Sequence, residues 1–274
     1  MYALVSAASG GEEVITDHLD FTGRVAIVTG GGTGIGFATA RQFAKLGASV
    51  VIASRTTEEL ERSAASIREE SGAQCLAVPT NVKDEDAVIR MVQRTVDEFN
   101  RVDILINNAG GTRMGPLAKM TTKAWDTVYD LNVRAAYFCT REVGEHMIAQ
   151  RSGAIVNISS NAGMTGVKGG AHYSSAKAAL QMFTTVTAAE WGRYGIRANC
   201  VAAGMISSPR AVDAWNAAGL DPNNMASLIP LRRPGTPDEI ANMIVFFASD
   251  AASYITGQTV AVNGGLPMSG IPDD

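Results

Sequence analysis

Apolar residues gather in short β-branched runs, separated by longer stretches where they recur at helical spacing. The runs are Arg24–Thr29, Ala48–Ala53, Gln74–Pro79, Val102–Ile106, Ala154–Ile158, Ile196–Val201 and Gln258–Val262, which predict seven strands. The helical stretches are Phe37–Leu46, Glu58–Glu70, Asp84–Phe99, Lys123–Ala149, Ser174–Arg193 and Asp238–Ala248. Strands alternating with helices predict an α/β architecture, a parallel sheet with helices on both faces. Right-handed crossovers make such a sheet doubly wound. Ligands then bind outside the carboxyl ends of the strands.

Two segments depart from the alternation. Residues 205–236 run from Met205-Ile-Ser-Ser-Pro209 through Trp215, Gly219, Pro222, Met225 and Pro230. That is long for a connection, and long connections often serve as binding loops. Residues 1–20 show neither period and read as an extension ahead of one domain spanning 21–274. They lack the cationic start and apolar core of a secretory signal.

The first chemical motif follows the opening strand. Gly30-Gly-Gly-Thr-Gly-Ile-Gly36 joins that strand to a helix. Glycines let the backbone come close to a pyrophosphate. The helix start adds free N–H groups and the positive end of its dipole. The spacing Gly-x-x-x-Gly-x-Gly is a variant of the dinucleotide fingerprint. A carboxylate about 20 residues further on usually holds the ribose 2′-hydroxyl of NAD. Ser54-Arg55 stands there instead. A guanidinium and a hydroxyl suit a 2′-phosphate, so NADP(H) is expected in preference to NAD(H). The competing reading pairs Arg55 with Glu58 or Glu59.

The second motif is His172-Tyr-Ser-Ser-Ala-Lys-Ala-Ala-Leu180, preceded by Ser160. On a helix, Tyr173 and Lys177 share one face with Cβ atoms about 5–6 Å apart. An ammonium that close favours the phenolate. It moves a group of pKa about 10 toward the range of a general acid/base. A serine hydroxyl from a nearby strand end would hold the reacting oxygen.

These motifs stand in order with Asn107-Asn-Ala-Gly110, Asn132 in Leu-Asn-Val, and Tyr254-Ile-Thr-Gly-Gln-Thr-Val-Ala-Val-Asn-Gly-Gly265. From about residue 20 to residue 265 the chain resembles the short-chain dehydrogenase/reductase family. The resemblance implies a Rossmann-type fold and a proton exchange between Tyr173 and a substrate oxygen. Ser160 would hydrogen-bond that oxygen. Ser159 is its neighbouring alternative, on the opposite strand face, and the spacing to Tyr173 selects Ser160. Lys177 would lower the tyrosine pKa and hold the nicotinamide ribose. Asn132 would bind a water linking Lys177 to solvent. The cofactor wall would comprise Gly30, Gly32, Thr33, Gly34, Ile35 and Gly36 at the turn, with Ser54 and Arg55. Asn81, Val82, Asn108, Ala109, Gly110, Gly204, Ile206 and Ser208 would complete it beside Tyr173 and Lys177. Residues 205–236 would form a substrate lid. Stretches 123–149 and 174–193 would pack between subunits of a homotetramer.

Four positions depart from the family's pattern. Asn81 and Asn263 stand where aspartates are usual, Ser208 where a threonine is, and Ala203-Gly204 where Pro-Gly is. Losing the proline frees φ at that turn. Every proton-transfer group is kept.

The expected activity is hydride transfer between NADP(H) and a carbonyl or secondary alcohol, with a small-molecule substrate. One alternative is a 3-oxoacyl-thioester reductase. Another is a non-catalytic NADP(H) sensor, against which the intact Asn132, Ser160, Tyr173 and Lys177 set argues. A sugar-nucleotide isomerase or epimerase usually needs a longer C-terminal substrate domain. Met164, Val167, Met205 and Trp215 either line an apolar pocket or, the preferred reading, pack in the core. Arg113 either meets an anionic group or, again preferred, is simply solvated.

Composition excludes other classes. The chain has 274 residues, 46% hydrophobic and 18% charged, which suits a folded domain. Its net charge of −4, without a basic tract, argues against nucleic acid as a partner. No apolar run is long enough to cross a bilayer. Cys75, Cys139 and Cys200 are scattered and read as buried thiols of a reducing, cytoplasmic setting. His18, His146 and His172 show no ligand pattern, so no metal is expected.

Overall fold

The computed structural model describes residues 14–265 apart from 218, 222, 223, 225 and 228. Pro222, Met225 and residues 1–13 of the extension therefore lie outside the described residues. Seven parallel strands form one sheet in the order β3-β2-β1-β4-β5-β6-β7. They are β1 (Val25–Thr29), β2 (Ser49–Ser54), β3 (Cys75–Pro79), β4 (Ile104–Asn107), β5 (Gly153–Ser160), β6 (Ile196–Ala203) and β7 (Thr259–Val262). The helices are α1 (Gly34–Lys45), α2 (Thr57–Ser71), α3 (Glu85–Phe99), α4 (Thr122–Tyr129), α5 (Ala135–Gln150), α6 (Ala162–Thr165), α7 (Ala171–Trp191), α8 (Pro209–Ala217) and α9 (Pro237–Ala248).

Alternation along the central strands divides the core. Ala26, Val28, Ile52, Ile104, Ile106 and Val156 meet Phe43, Leu60, Ile67, Ile240, Ile244 and Phe247 on one face. Ile27, Val51, Leu105 and Ile155 meet Val88, Met91, Cys139, Val143 and Met147 on the other. Burying one such side chain is worth about 1.5–3 kcal/mol, so both helical layers are held firmly. Successive crossovers run outward from β1 one way and from β4 the other. That reversal opens a crevice at the carboxyl ends of β1 and β4.

Three differences from the sequence expectation matter for the site. The stretch 123–149 is not one helix. α4, capped by Thr121 Oγ1 accepting from Ala124 N, passes into a π-turn, Asp130–Arg134, before α5. The turn's extra residue carries Asn132 to 1% exposure, and such insertions cluster at functional sites. β5 and β6 also run two residues past their expected ends, pairing Ser160 with Ala203 at the carboxyl edge. Finally, α7 begins at Ala171, so Tyr173 lies in its first turn. Residues 205–236 leave the sheet and return to their own base. Ser207 N donates to Gly235 O at 2.9 Å, and Gly235 N to Met205 O at 2.9 Å.

Candidate active site

The glycine turn is built against the end of β4. A Cβ on Gly36 would lie 2.3 Å from Gly30 O and 2.6 Å from Asn108 Nδ2, so only glycine fits. Asn108 Nδ2 donates to Thr29 O at 2.9 Å and to Gly30 O at 3.2 Å. Thr29 Oγ1 donates to Ile106 O at 3.1 Å. It accepts from Asn108 N at 3.0 Å and from Ala109 N at 3.1 Å. Thr29 is a hub that sequence reasoning missed, and its one signal was its place before Gly30. Asn108, expected as cofactor wall, gives its amide to bracing the turn. Thr33 caps α1 without a side-chain hydrogen bond, leaving first-turn N–H groups available for an anion. Ile35, half-buried, packs onto the core behind them.

At the end of β2, Ser54 Oγ is buried and has no partner among the described residues. Arg55 is exposed. The competing pairing with Glu58 or Glu59 does not form among the described residues, and Glu59 binds Arg210 at 3.1 Å. After β3, Asn81 is exposed and its Oδ1 accepts from Lys83 N at 3.3 Å. That bond takes one of the oxygen's two lone pairs. Val82 is buried and lines a small cavity with Thr29, Asn107, Ala109 and Asn132.

The second cluster lies across the crevice. Ser160 Oγ accepts from Ala162 N at 3.2 Å and lies near enough to the Tyr173 phenol to oppose the rise in its pKa. Ser159 is buried on the other face, donating to Lys177 O at 2.9 Å and accepting from Gln181 Nε2 at 2.9 Å. Of the two serines, Ser160 is the one on the side of the Tyr173 phenol. Lys177 Nζ donates to Ile158 O at 2.7 Å and stands 5.7 Å from the Tyr173 ring centre. Asn132 Oδ1 accepts from Gly111 N at 3.1 Å, while its Nδ2 donates to Gly111 O at 2.8 Å and to Val128 O at 2.9 Å. A Cβ on Gly110 would lie 2.8 Å from Asn132 Oδ1 and 3.1 Å from Lys177 Nζ. Both polar atoms thus face the gap that Gly110 leaves.

Burial dominates the electrostatics. It raises the Tyr173 pKa, partly opposed by the Ser160 hydrogen bond. It lowers Lys177 to about 8, with Cys200 acting weakly the other way. The expected depression of Tyr173 by Lys177 is therefore not found. Lys177 Nζ is turned to Ile158 O, and burial of the phenol sets the direction of the shift. A phenol kept neutral beside a serine hydroxyl has a proton it can donate.

The segment after β6 closes the edge. A Cβ on Gly204 would lie 2.6 Å from Asn263 Cα, and Asn263 Nδ2 donates to Asn161 Oδ1 at 3.1 Å. Ile206 is buried and bridges to Gly235. Ser208 Oγ accepts from Ala211 N at 3.3 Å, capping α8. Its Cβ is 3.2 Å from the position a Cβ would take on Gly34. Asn132, Ser160, Tyr173, Lys177 and Gly110 thus meet at one edge with the glycine turn, and Asn81 follows β3 next to Val82, which faces Asn132 across the small cavity.

The family model for enoyl-(acyl carrier protein) reductase matches residues 30–267. A 3-oxoacyl-[acyl-carrier-protein] reductase from Synechocystis is 41% identical over 90% of this chain and 98% of its own. A (2S)-[(R)-hydroxy(phenyl)methyl]succinyl-CoA dehydrogenase subunit from Thauera aromatica is 39% identical over 89% and 97%. The solved short-chain type dehydrogenase/reductase from Mycobacterium ulcerans superposes with a TM-score of 0.85 at 30% identity, covering 90% of both chains. The chain belongs to the short-chain dehydrogenase/reductase family. Like others in that family, it is an NAD(P)-dependent oxidoreductase acting on alcohol and carbonyl groups. Among the described residues, no helix is long and apolar enough to cross a membrane.

Proposed function

We propose that this reductase transfers a hydride between NADP(H) and a ketone or secondary alcohol, with Tyr173 as the general acid/base. One observation carries the reading: Tyr173, Ser160, Lys177 and Asn132 converge beside the glycine turn. The residues fit a dinucleotide, since a Cβ would fill the cradle at Gly36 and Ser54 Oγ has no described partner. Gly30, Gly34 and the start of α1 would hold its pyrophosphate, Ser54 and Arg55 its 2′-phosphate, and Lys177 its nicotinamide ribose. The bound nicotinamide supplies the hydride. Ser160 orients the substrate oxygen, and Tyr173 gives it a proton during reduction or takes one during oxidation. Lys177 Nζ keeps donors beyond Ile158 O, and Asn132 Oδ1 keeps a lone pair. A water between them, in the gap at Gly110, would replenish the proton.

The substrate class follows from the rim. Core packing was the preferred reading of Met164 and Val167, yet they are 49% and 44% exposed. Met114 and Leu117 are exposed beside them, on a segment joined by Gly115 N donating to Gly169 O at 2.8 Å. Arg113 and Lys168, both exposed, flank these apolar side chains in sequence. An apolar rim with cations favours a 3-oxoacyl group on an anionic thioester carrier, a chemistry shared with the substrates that two relatives' names state. Residues 205–236, tied at their base, would act as the lid. Exposed Tyr137 on α5 and Met182 and Val186 on α7 support packing between subunits of a homotetramer. Three buried free thiols support a cytoplasmic setting.

A panel of ketones, alcohols and a 3-oxoacyl thioester, followed by nicotinamide absorbance with NADPH and NADH, tests the proposal. Thioester reduction with NADPH is expected to give the highest kcat/KM. Turnover confined to NADH, or none with any carbonyl, would overturn it.

A further inference from the structure

The segment after β6 reaches back over the glycine turn. Arg210, in the first turn of α8, places Nη2 3.1 Å from Glu59 Oε1. Glu59 lies in the first turn of α2, just past Arg55. Its Oε1 is 3.0 Å from the position a Cβ would take on Gly32, and Ser54 Oγ is 3.4 Å from that same position. Ser208, two residues before Arg210, touches the turn at Gly34. Gly32, Ser54, Glu59 and Arg210 therefore stand together at the carboxyl end of β2. Of these, Ser54 Oγ has no partner among the described residues.

We propose that Arg210 is a second cation of the 2′-phosphate site, and that Glu59 is the counterion from which a phosphate draws it. The inference rests on the NADP(H) reading above and adds a residue that reading lacks. The Arg210 side chain is 66% exposed and that of Glu59 25%, so the arginine can change partner without leaving a deeply buried charge. A phosphomonoester offers up to two charges and three acceptor oxygens, which a guanidinium binds in forked geometry better than a single carboxylate. A bare ribose offers only hydroxyls, so the Glu59–Arg210 pair stays intact and contributes nothing to its binding. Glu59, beside Gly32 and Ser54, also repels an approaching phosphate until Arg210 offsets it. Discrimination between the two cofactors thus comes partly from α8, whose Arg210 lies 151 positions from Glu59 in sequence.

Calorimetric titration of the full chain with 2′,5′-ADP and with 5′-AMP tests this directly. The parent is expected to prefer 2′,5′-ADP. Arg210→Gln is expected to weaken 2′,5′-ADP by about tenfold, one step of the usual affinity scale, and to leave 5′-AMP within about twofold. Arg210→Lys should keep part of the preference, and Glu59→Gln should tighten 2′,5′-ADP severalfold. If Arg210→Gln changes neither ligand, or both equally, the inference fails alone, provided that Arg55→Gln still weakens 2′,5′-ADP selectively. A parent without preference overturns both the inference and the NADP(H) reading. Glu59→Gln weakening 5′-AMP would mean that Glu59 grips ribose hydroxyls, and would also overturn the inference. Should Arg210→Gln fail to fold, the Glu59→Gln outcome decides.

Discussion

The floor and the rim of the site are built by different rules. On the floor, Thr29, Asn108 and Asn132 each engage backbone groups of a different element, and Lys177 is anchored to Ile158 O. On the rim, Arg55, Arg113, Met114, Leu117, Met164 and Val167 are exposed. A floor tied in this way fixes reacting groups before any ligand arrives, which is where electrostatic catalysis draws its strength. A rim of exposed side chains can change with little cost to folding. The difference places rate on the floor and selectivity on the rim, and substitutions can break or sharpen that division.

Apart from Tyr173 itself, the largest effect is expected at Gly110. An alanine there would press on Asn132 Oδ1 and Lys177 Nζ. We expect kcat to fall about a hundredfold, within the range for losing a placed proton-transfer group. The melting temperature should move little. A parental kcat would show that the gap has no role.

The next effect concerns Lys177 and pH. Its pKa is about 8 in the fold against 10.5 for a free lysine, because burial disfavours the ammonium. Between those values the unfolded chain binds more protons, so stability rises with pH there. Below pH 8 the penalty is fully present. Urea unfolding of the parent and of Lys177→Met should therefore differ in pH dependence. From pH 8 to 10.5 the parent should gain about 2 kcal/mol on the variant, fewer than the shift alone implies. A constant gap would mean the ammonium is held at no cost.

On the rim, Arg55→Asp should lower kcat/KM with NADPH about tenfold and raise it with NADH, the signature of losing a forked phosphate contact. Steady-state kinetics with both cofactors measures it. Equal losses with both would move Arg55 from selectivity to structure. The smallest effect is expected at Arg113→Gln: KM for an acyl thioester should rise about threefold, as for an exposed charge near an anion. Its kcat and stability should stay unchanged. A lower kcat would carry the floor outward to Arg113.

Much of the floor could be read in the chain because its motifs are local. Gly30 to Gly36 and the Tyr173–Lys177 pair each lie within one turn or helix, so spacing alone brings their members together. The alternation of strands and helices was legible for the same reason. The π-turn at Asn132 was not, since one inserted residue barely disturbs helical periodicity. The direction of the Tyr173 pKa shift was not legible either, because helical spacing fixes where Lys177 sits but not how deeply the fold buries the phenol. Glu59 and Arg210 meet only through the fold, across 151 positions, and no pattern in the chain links them. Met164 and Val167 look like core by residue type, and only the loop's path exposes them.

Tyr173→Phe gives the most direct test, in single-turnover reduction of a 3-oxoacyl thioester beside calorimetric binding of NADPH. The division into floor and rim predicts that the hydride-transfer rate falls by about 10²–10⁴, the span for a positioned general acid. NADPH affinity should stay within about threefold, less than one tenfold step. A near-parental rate, or a loss explained wholly by weaker NADPH binding, would contradict the role of the phenol.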